Sequence, residues 1–269
     1  MRCAIILTVI SVALAASVPA PAQQRIVGGR PTTVDKYPFA GNTQISENGI
    51  VWPSQCGGTL ISTTAVLSAA HCFDFGLPAR YYGVRLGSSY SSSGGTVFNL
   101  ASYVNHPEYN TPYHANDVTI LKLATPVVFD DLKRNARIPA PVYPIADGAE
   151  LTVIGWGSLY TDGPAPEILQ EVQLNKVDTK ICAERYRTLN AELPPHYIRY
   201  PDVTDTMLCS GIDAGGKSSC HGDSGGPVLL NEDIVVGIVS WSHQNCGEPM
   251  YPGVNTLVSA FSDWIVANA

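Results

Sequence analysis

A serine set in Gly222-Asp223-Ser224-Gly225-Gly226-Pro227 stands apart from the rest of this 269-residue chain. A hydroxyl becomes a nucleophile toward a carbonyl when a base takes its proton, and an imidazole base is held in the right tautomer by an acid. Both partners occur in compact settings: His71 in Ala69-Ala70-His71-Cys72, and Asp117 in Asn116-Asp117-Val118-Thr119-Ile120-Leu121. The chemistry implied is acyl transfer. Ser224 would attack, His71 would accept its proton and pass it to the leaving group, and Asp117 would orient and stabilise the ring. The backbone N–H groups of Gly222 and Ser224 would receive the developing oxyanion, and the glycines allow the tight turn this requires. Singly, these residues read as well as a turn serine, a core histidine and a capping aspartate. Their joint occurrence with Ile26-Val27-Gly28-Gly29 behind a basic Arg25 argues against that.

The elements that must position them are mostly strands. Apolar content of 45%, with only 14% charged residues, excludes a disordered chain, and 24 glycines with 20 prolines favour many turns and short strands. β-rich runs at Ala65–Leu67, Val118–Leu123, Leu151–Ile154 and Ile234–Val239 are punctuated by Gly, Ser, Asn and Pro, a pattern of barrels or sandwiches. Val228–Leu230 and Ile234–Val236 flank a polar Asn231–Asp233 turn. Two helices are predicted. One is capped near Asp178 or Thr179 and runs through Glu184 to Arg187. The other closes the chain, with Leu257, Val258, Phe261, Trp264 and Ile265 at helical spacing as core packing. The Pro-rich stretch Ile138–Pro144 divides the chain, leaving His71 and Asp117 in one half and Ser224 in the other.

The first residues read as a secretory signal: Arg2, an apolar Ala4–Ala15, then small residues, too short a stretch to span a bilayer comfortably. The expected division is a signal over 1–16, an activation propeptide over 17–25 and a catalytic domain over 26–269. That domain splits into halves of about 26–138 and 139–269. The expected product is secreted and extracellular, with no membrane attachment. Cys3 falls in the removed segment. The other six, Cys56, Cys72, Cys182, Cys209, Cys220 and Cys246, indicate a disulfide framework with fifteen open pairings, and their wide spacing argues against a metal site. Without residues 1–25 the chain holds 14 basic and 23 acidic residues, a surface that repels nucleic acid. No Asn-x-Ser/Thr sequon is present.

From Ile26 to the C-terminus the chain resembles the trypsin/chymotrypsin family of secreted serine endopeptidases, in the order His, Asp, Ser. Pro201–Asp205 and Asp233–Gly237 are similar to trypsin-like enzymes of moth larvae. The resemblance implies an all-β fold of two packed six-stranded antiparallel barrels with a C-terminal helix and the site in the cleft between them. It also implies pairings Cys56–Cys72, Cys182–Cys209 and Cys220–Cys246, and a zymogen cut after Arg25. The new Ile26 ammonium would then pair with Asp223 and order the oxyanion hole and pocket. An α/β-hydrolase also matches Gly222-x-Ser224-x-Gly226, but its triad order and strand–turn–helix setting do not fit the β-rich run after Pro227.

By the same resemblance, Ser218 occupies the base of the primary pocket, with Ser242 and Gly253 at its walls. An acid at the base would confer cleavage after Arg or Lys; Ser218 leaves a buried cation unpartnered, so large apolar side chains are expected instead. The alternatives are trypsin-like cleavage served by an acid such as Glu248, and a catalytically dead binding homologue. Ser240-Trp241-Ser242 would offer a strand edge to peptide substrates. Activation would need a separate trypsin-like protease. The loop Ser88–Gly95 has no carboxylate and is expected to hold no calcium, and no cofactor is expected. Expected partners are protein or peptide substrates and protein inhibitors of proteases, with the chain a monomer. Digestion is the favoured setting, with yolk breakdown or haemolymph processing open to the same machinery.

Overall fold

The computed structural model describes residues 26–111, 114–197 and 199–269. The proposed signal and propeptide segments lie outside these residues. Two antiparallel barrels account for most of the chain. The first is built from β2 (Ala40–Ile45), β3 (Ser54–Leu60), β4 (Ala65–Ser68), β5 (Tyr82–Leu86), β6 (Thr96–Asn105) and β7 (Thr119–Leu123), closed in the order β2-β3-β4-β7-β6-β5. The second contains β8 (Glu150–Gly155), β9 (Gln170–Val177), β10 (Met207–Gly211), β11 (Pro227–Leu230), β12 (Ile234–Trp241) and β13 (Gly253–Leu257). It runs β9-β10-β13-β12-β11-β8 and closes through β8 on β9, while the two-residue β1 (Arg30–Pro31) adds to the edge of β9. This is the chymotrypsin-like fold.

Closure removes the unpaired strand edges that short β-rich runs would otherwise expose. It also creates two apolar interiors. Leu60, Val66, Leu67, Tyr82, Val84, Ile120 and Leu121 fill the first, and Leu151, Val153, Val172, Val228 and Val236 the second. Each such side chain contributes about 1.5–3 kcal/mol on burial. The first cluster extends across the seam through Ile154, Trp156, Leu229, Val235 and Ile238, so the barrels share a core.

Polar ties lock the same seam. Glu171 on β9 accepts from Arg30 (2.6 Å), Lys36 (2.9 Å) and Tyr37 Oη (2.8 Å). Burial alone would raise its pKa; these donors overcome that and hold it down to about 2. Trp156 Nε1 and the Leu169 N–H both donate to the Ser89 carbonyl, pinning the Ser88–Gly95 loop to the second barrel. Within that loop Arg85 donates to the carbonyls of Ser91 (3.1 Å) and Gly94 (2.6 Å). A guanidinium thus gathers carbonyl oxygens there.

Helix α1 (Thr179–Glu192) begins where Asp178 accepts from the N–H groups of Lys180 and Ile181, as its side chain predicts, and runs past Arg187. The closing helix is shorter than its apolar stripe implies. Leu257 ends β13, paired with Gly237 and donating its N–H to Thr206, and Val258–Ala260 form a 3-10 turn. Only Ser262–Asn268 are α-helical (α2). The sheet ladder outcompetes helical spacing at Leu257.

Candidate active site

Strand register brings His71 and Asp117 together. β4 and β7 pair antiparallel with Ser68 opposite Thr119, so the segment leaving β4 and the segment entering β7 lie side by side. His71 sits on the 3-10 turn Ala70–Phe73 just after β4, and Asp117 two residues before β7. The His71 N–H donates to Asp117 Oδ1 at 2.9 Å, and the two side chains meet at 2.7 Å between Nδ1 and Oδ2. Ser240 Oγ donates to the same Oδ2 at 2.5 Å, and Thr256 Oγ1 to the Asp117 carbonyl at 2.8 Å. Asp117 is fully buried. Burial pushes its pKa up, but the imidazoles of His114 and His71 and the Ser240 hydroxyl more than reverse this, leaving it well below the usual carboxylate range.

Ser224 arrives from the other barrel, on the turn before β11. Its carbonyl accepts from the Gly57 N–H at 2.7 Å, a contact that requires two backbones to touch. A Cβ on Gly57 would lie 2.6 Å from Gly226 Cα, so glycine is needed for the approach. Among the described residues Ser224 makes no hydrogen bond to the His71 ring; in free enzymes this contact is often loose and tightens with substrate. Around Ser224 the backbone folds tightly, with the Asp223 N–H on the Cys220 carbonyl and the Gly226 N–H on the Asp223 carbonyl. Gly222 has φ +94, open to glycine and strained for other residues. The N–H groups of Gly222 and Ser224 find no protein acceptor among the described residues, leaving two donors available on one turn.

Asp223 points inward. Its carboxylate accepts from the N–H groups of Gly157 (2.8 Å) and Cys220 (2.9 Å) and has no cation beside it among the described residues. Burial raises its pKa to about 7, with those two hydrogen bonds opposing. Ile26 is wholly buried among Leu151, Val153 and Val172, and the Val27 carbonyl accepts from the Ser218 N–H at 3.2 Å. The segment 26–29 therefore packs against the strand of chain leading to Ser224.

A stability prediction follows from the sign of that shift. The folded-state value near 7 lies above the about 3.9 of an unfolded aspartate, so the folded chain holds an extra proton between them. The stability this confers is complete below about pH 4 and is lost as pH rises through about 7. In an uncut Arg25→Gln/Ser224→Ala chain, Tm should fall by on the order of 10 °C across that window from this group alone. Calorimetry of the same chain carrying Asp223→Asn should show most of the fall gone; an unaltered slope would place its origin elsewhere.

A cavity of about 210 Å³ opens beside Ser224, lined by Ser219, Cys220, Trp241, Ser242, His243 and Gln244 among others. Among the described residues no carboxylate lines it. Ser218 is buried, its Oγ donating to the Ser219 carbonyl at 2.6 Å. A Cβ on Gly253 would meet Ser219 Oγ at 3.6 Å, so Gly253 lies against Ser219. Ser242 Oγ turns to the His243 carbonyl at 3.1 Å. Glu248, outside the lining, is met by Asn245 Nδ2 at 3.3 Å. Three disulfides, Cys56–Cys72, Cys182–Cys209 and Cys220–Cys246, brace the 3-10 turn that carries His71, the start of α1 and the segment before Ser224.

Three residues at the site carry little or no local sequence signal. Ser240, expected only at a substrate-binding strand edge, also holds Asp117. Ser219 adjoins Gly253 and lines the cavity. His114 stands 3.8 Å from Asp117 and three positions before it in sequence, a proximity that is its one local signal.

Two barrels and a hydroxyl–imidazole–carboxylate set divided between them define a serine endopeptidase, a hydrolase. The family model described as Trypsin matches residues 26–265. Trypsin CFT-1 of Choristoneura fumiferana is 39% identical over 270 residues, with all of both chains covered, and Trypsin, alkaline C of Manduca sexta is 38% identical on the same terms. The Vitellin-degrading protease of Bombyx mori is 36% identical over 91% of this chain and 85% of its own. The chain belongs to the trypsin family. Among the described residues no helix is long and apolar enough to cross a membrane.

Proposed function

We propose that this trypsin-family protease is secreted as a zymogen, is cut after Arg25, and hydrolyses peptide bonds preferentially after large apolar residues. In this reading residues 1–16 are the signal, 17–25 the propeptide and 26–269 the peptidase. Ser224 forms the acyl-enzyme, His71 is general base and then acid, and Asp117 orients His71. Gly222 and Ser224 N–H groups bind the oxyanion. A freed Ile26 ammonium would supply Asp223 with the charge it lacks. Because a buried ionised carboxylate is costly until paired, the cut can act as a switch.

The observation that carries the side-chain preference is the cavity beside Ser224, whose lining among the described residues holds no acid. Ser218, outside that lining and directly before Ser219 in the chain, offers a hydroxyl already committed to the Ser219 carbonyl. An arginine or lysine entering would surrender hydration without gaining a counter-charge, whereas an apolar side chain gives up nothing. The names of the relatives favour the opposite specificity, so the test must separate the two. The zymogen is converted with trypsin, the trypsin is removed, and a peptide library is cleaved. Products ending in Phe, Tyr or Leu support the proposal; products ending in Arg or Lys overturn the pocket assignment and favour Glu248 or another acid. Loss of cleavage altogether would favour a binding homologue. Arg25→Gln should stay inactive under the same conversion; full activity without the cut would refute the switch.

A further inference from the structure

His114 has no part in the chemistry above, yet it stands in the wall of the same site. It lies on the turn before β7 with φ 46, and its ring meets the His71 ring edge-on, centroids 5.3 Å apart at 82°. Its Nδ1 is buried and has no hydrogen-bond partner among the described residues. At 3.8 Å from Asp117 Oδ2 it is beyond hydrogen-bond range of the oxygen that His71 Nδ1 reaches at 2.7 Å. A buried nitrogen without a partner is costly, and this one faces a carboxylate and a second imidazole.

Two imidazoles and one carboxylate thus present donor atoms within 4.8 Å of one another. Donors around a tetrahedral ion with bonds of about 2.0–2.1 Å stand about 3.3 Å apart. The two measured separations from Asp117 Oδ2 bracket that spacing, so small ring movements would seat an ion. Nitrogen-rich donor sets suit Zn²⁺ or Cu²⁺ and not Ca²⁺ or Mg²⁺. The neighbouring cysteine groups offer no rival, because Cys56, Cys72, Cys220 and Cys246 are all in disulfides.

The geometry points to an inhibitory transition-metal site made by His71, His114 and Asp117. It rests on the protease function proposed above only for its inhibition readout. The neutral His71 ring carries a single proton, on Nδ1 when that atom donates to Asp117. An ion binding the Nδ1 lone pair displaces this proton, which passes through solvent to Nε2, with no net proton gained or lost. Nε2 is then a donor and cannot accept the Ser224 proton, while Asp117 is engaged by the ion. Base and orienter are lost together, and a chelator restores both.

Two readouts test this on the converted enzyme. ZnCl₂ below about 1 mM should inhibit peptide cleavage and EDTA should reverse it, whereas CaCl₂ and MgCl₂ should not inhibit. His114→Ala, each enzyme referred to its own metal-free rate, should raise the inhibition constant about 10-fold or more. Separately, Ser224→Ala titrated with CoCl₂ should develop visible ligand-field absorption that Zn²⁺ displaces and that His114→Ala removes. This second readout needs no catalysis, so it decides the site even where peptide cleavage fails. An unchanged inhibition constant in His114→Ala, absence of Zn²⁺ inhibition in an active enzyme, or a cobalt spectrum indifferent to His114 would overturn the proposal.

Discussion

Asp117→Asn is expected to lower kcat about 10⁴-fold with little change in KM, the loss expected when the orienting carboxylate of such a triad becomes an amide. The hydrogen bonds state why. Oδ1 accepts the His71 backbone N–H, so an asparagine keeps its carbonyl oxygen on that side and turns its NH₂ toward His71 Nδ1. The ring must then present a lone pair at Nδ1 and carry its proton on Nε2, the atom that should receive the Ser224 proton. Asp117 is not part of the cavity lining, so substrate binding should persist. Ser224→Ala should cost more, about 10⁶-fold, because the nucleophile itself is gone. Steady-state kinetics on both variants check this. An Asp117→Asn enzyme within about 10-fold of the parent would show that Asp117 does not set the His71 tautomer.

Ser218→Asp should reverse side-chain preference, raising kcat/KM after Arg or Lys by about 100-fold or more and lowering it after Phe or Leu. Ser218 is buried and directly precedes Ser219, which lines the cavity; in the pocket reading proposed above, a carboxylate there would face a substrate cation in a poorly hydrated space. The same charge is uncompensated when an apolar side chain enters, which makes the change repulsive for one class as well as attractive for the other. The free enzyme must hold that acid without a partner, so a lower Tm accompanies the switch. Paired kinetics on Arg and Phe substrates provide the measurement. Unchanged ratios would show that Ser218 does not lie at the base of the pocket.

The composition and the short β-rich runs indicate barrels or sandwiches, because runs bounded by Gly, Pro and Asn have few ways to bury one face; the division into two six-stranded barrels is what the family resemblance implies. The Ser224, His71 and Asp117 segments were legible for a related reason: each is local, and a tight turn around a nucleophile leaves a glycine signature. The N-cap at Asp178 was equally local. Leu257 was not, since its apolar spacing fits a helix and only the ladder to β12, with the Thr206 carbonyl, holds it in a strand. Contacts distant in sequence were decided by the folded chain alone. Register between β4 and β7 sets His71 beside Asp117, and backbone contact between Gly57 and the Ser224 turn joins the barrels. Ser240 reaches Asp117 across 123 residues of sequence, and Glu171 gathers cations more than 130 residues away. No local pattern encodes such pairings, because which side chain meets which carboxylate depends on strand register and barrel closure. The amino-acid sequence determined which groups are available for chemistry and where the chain must turn; the tertiary structure decided their neighbours, and with them the environments that tune Asp117, Asp223 and the lone nitrogen of His114.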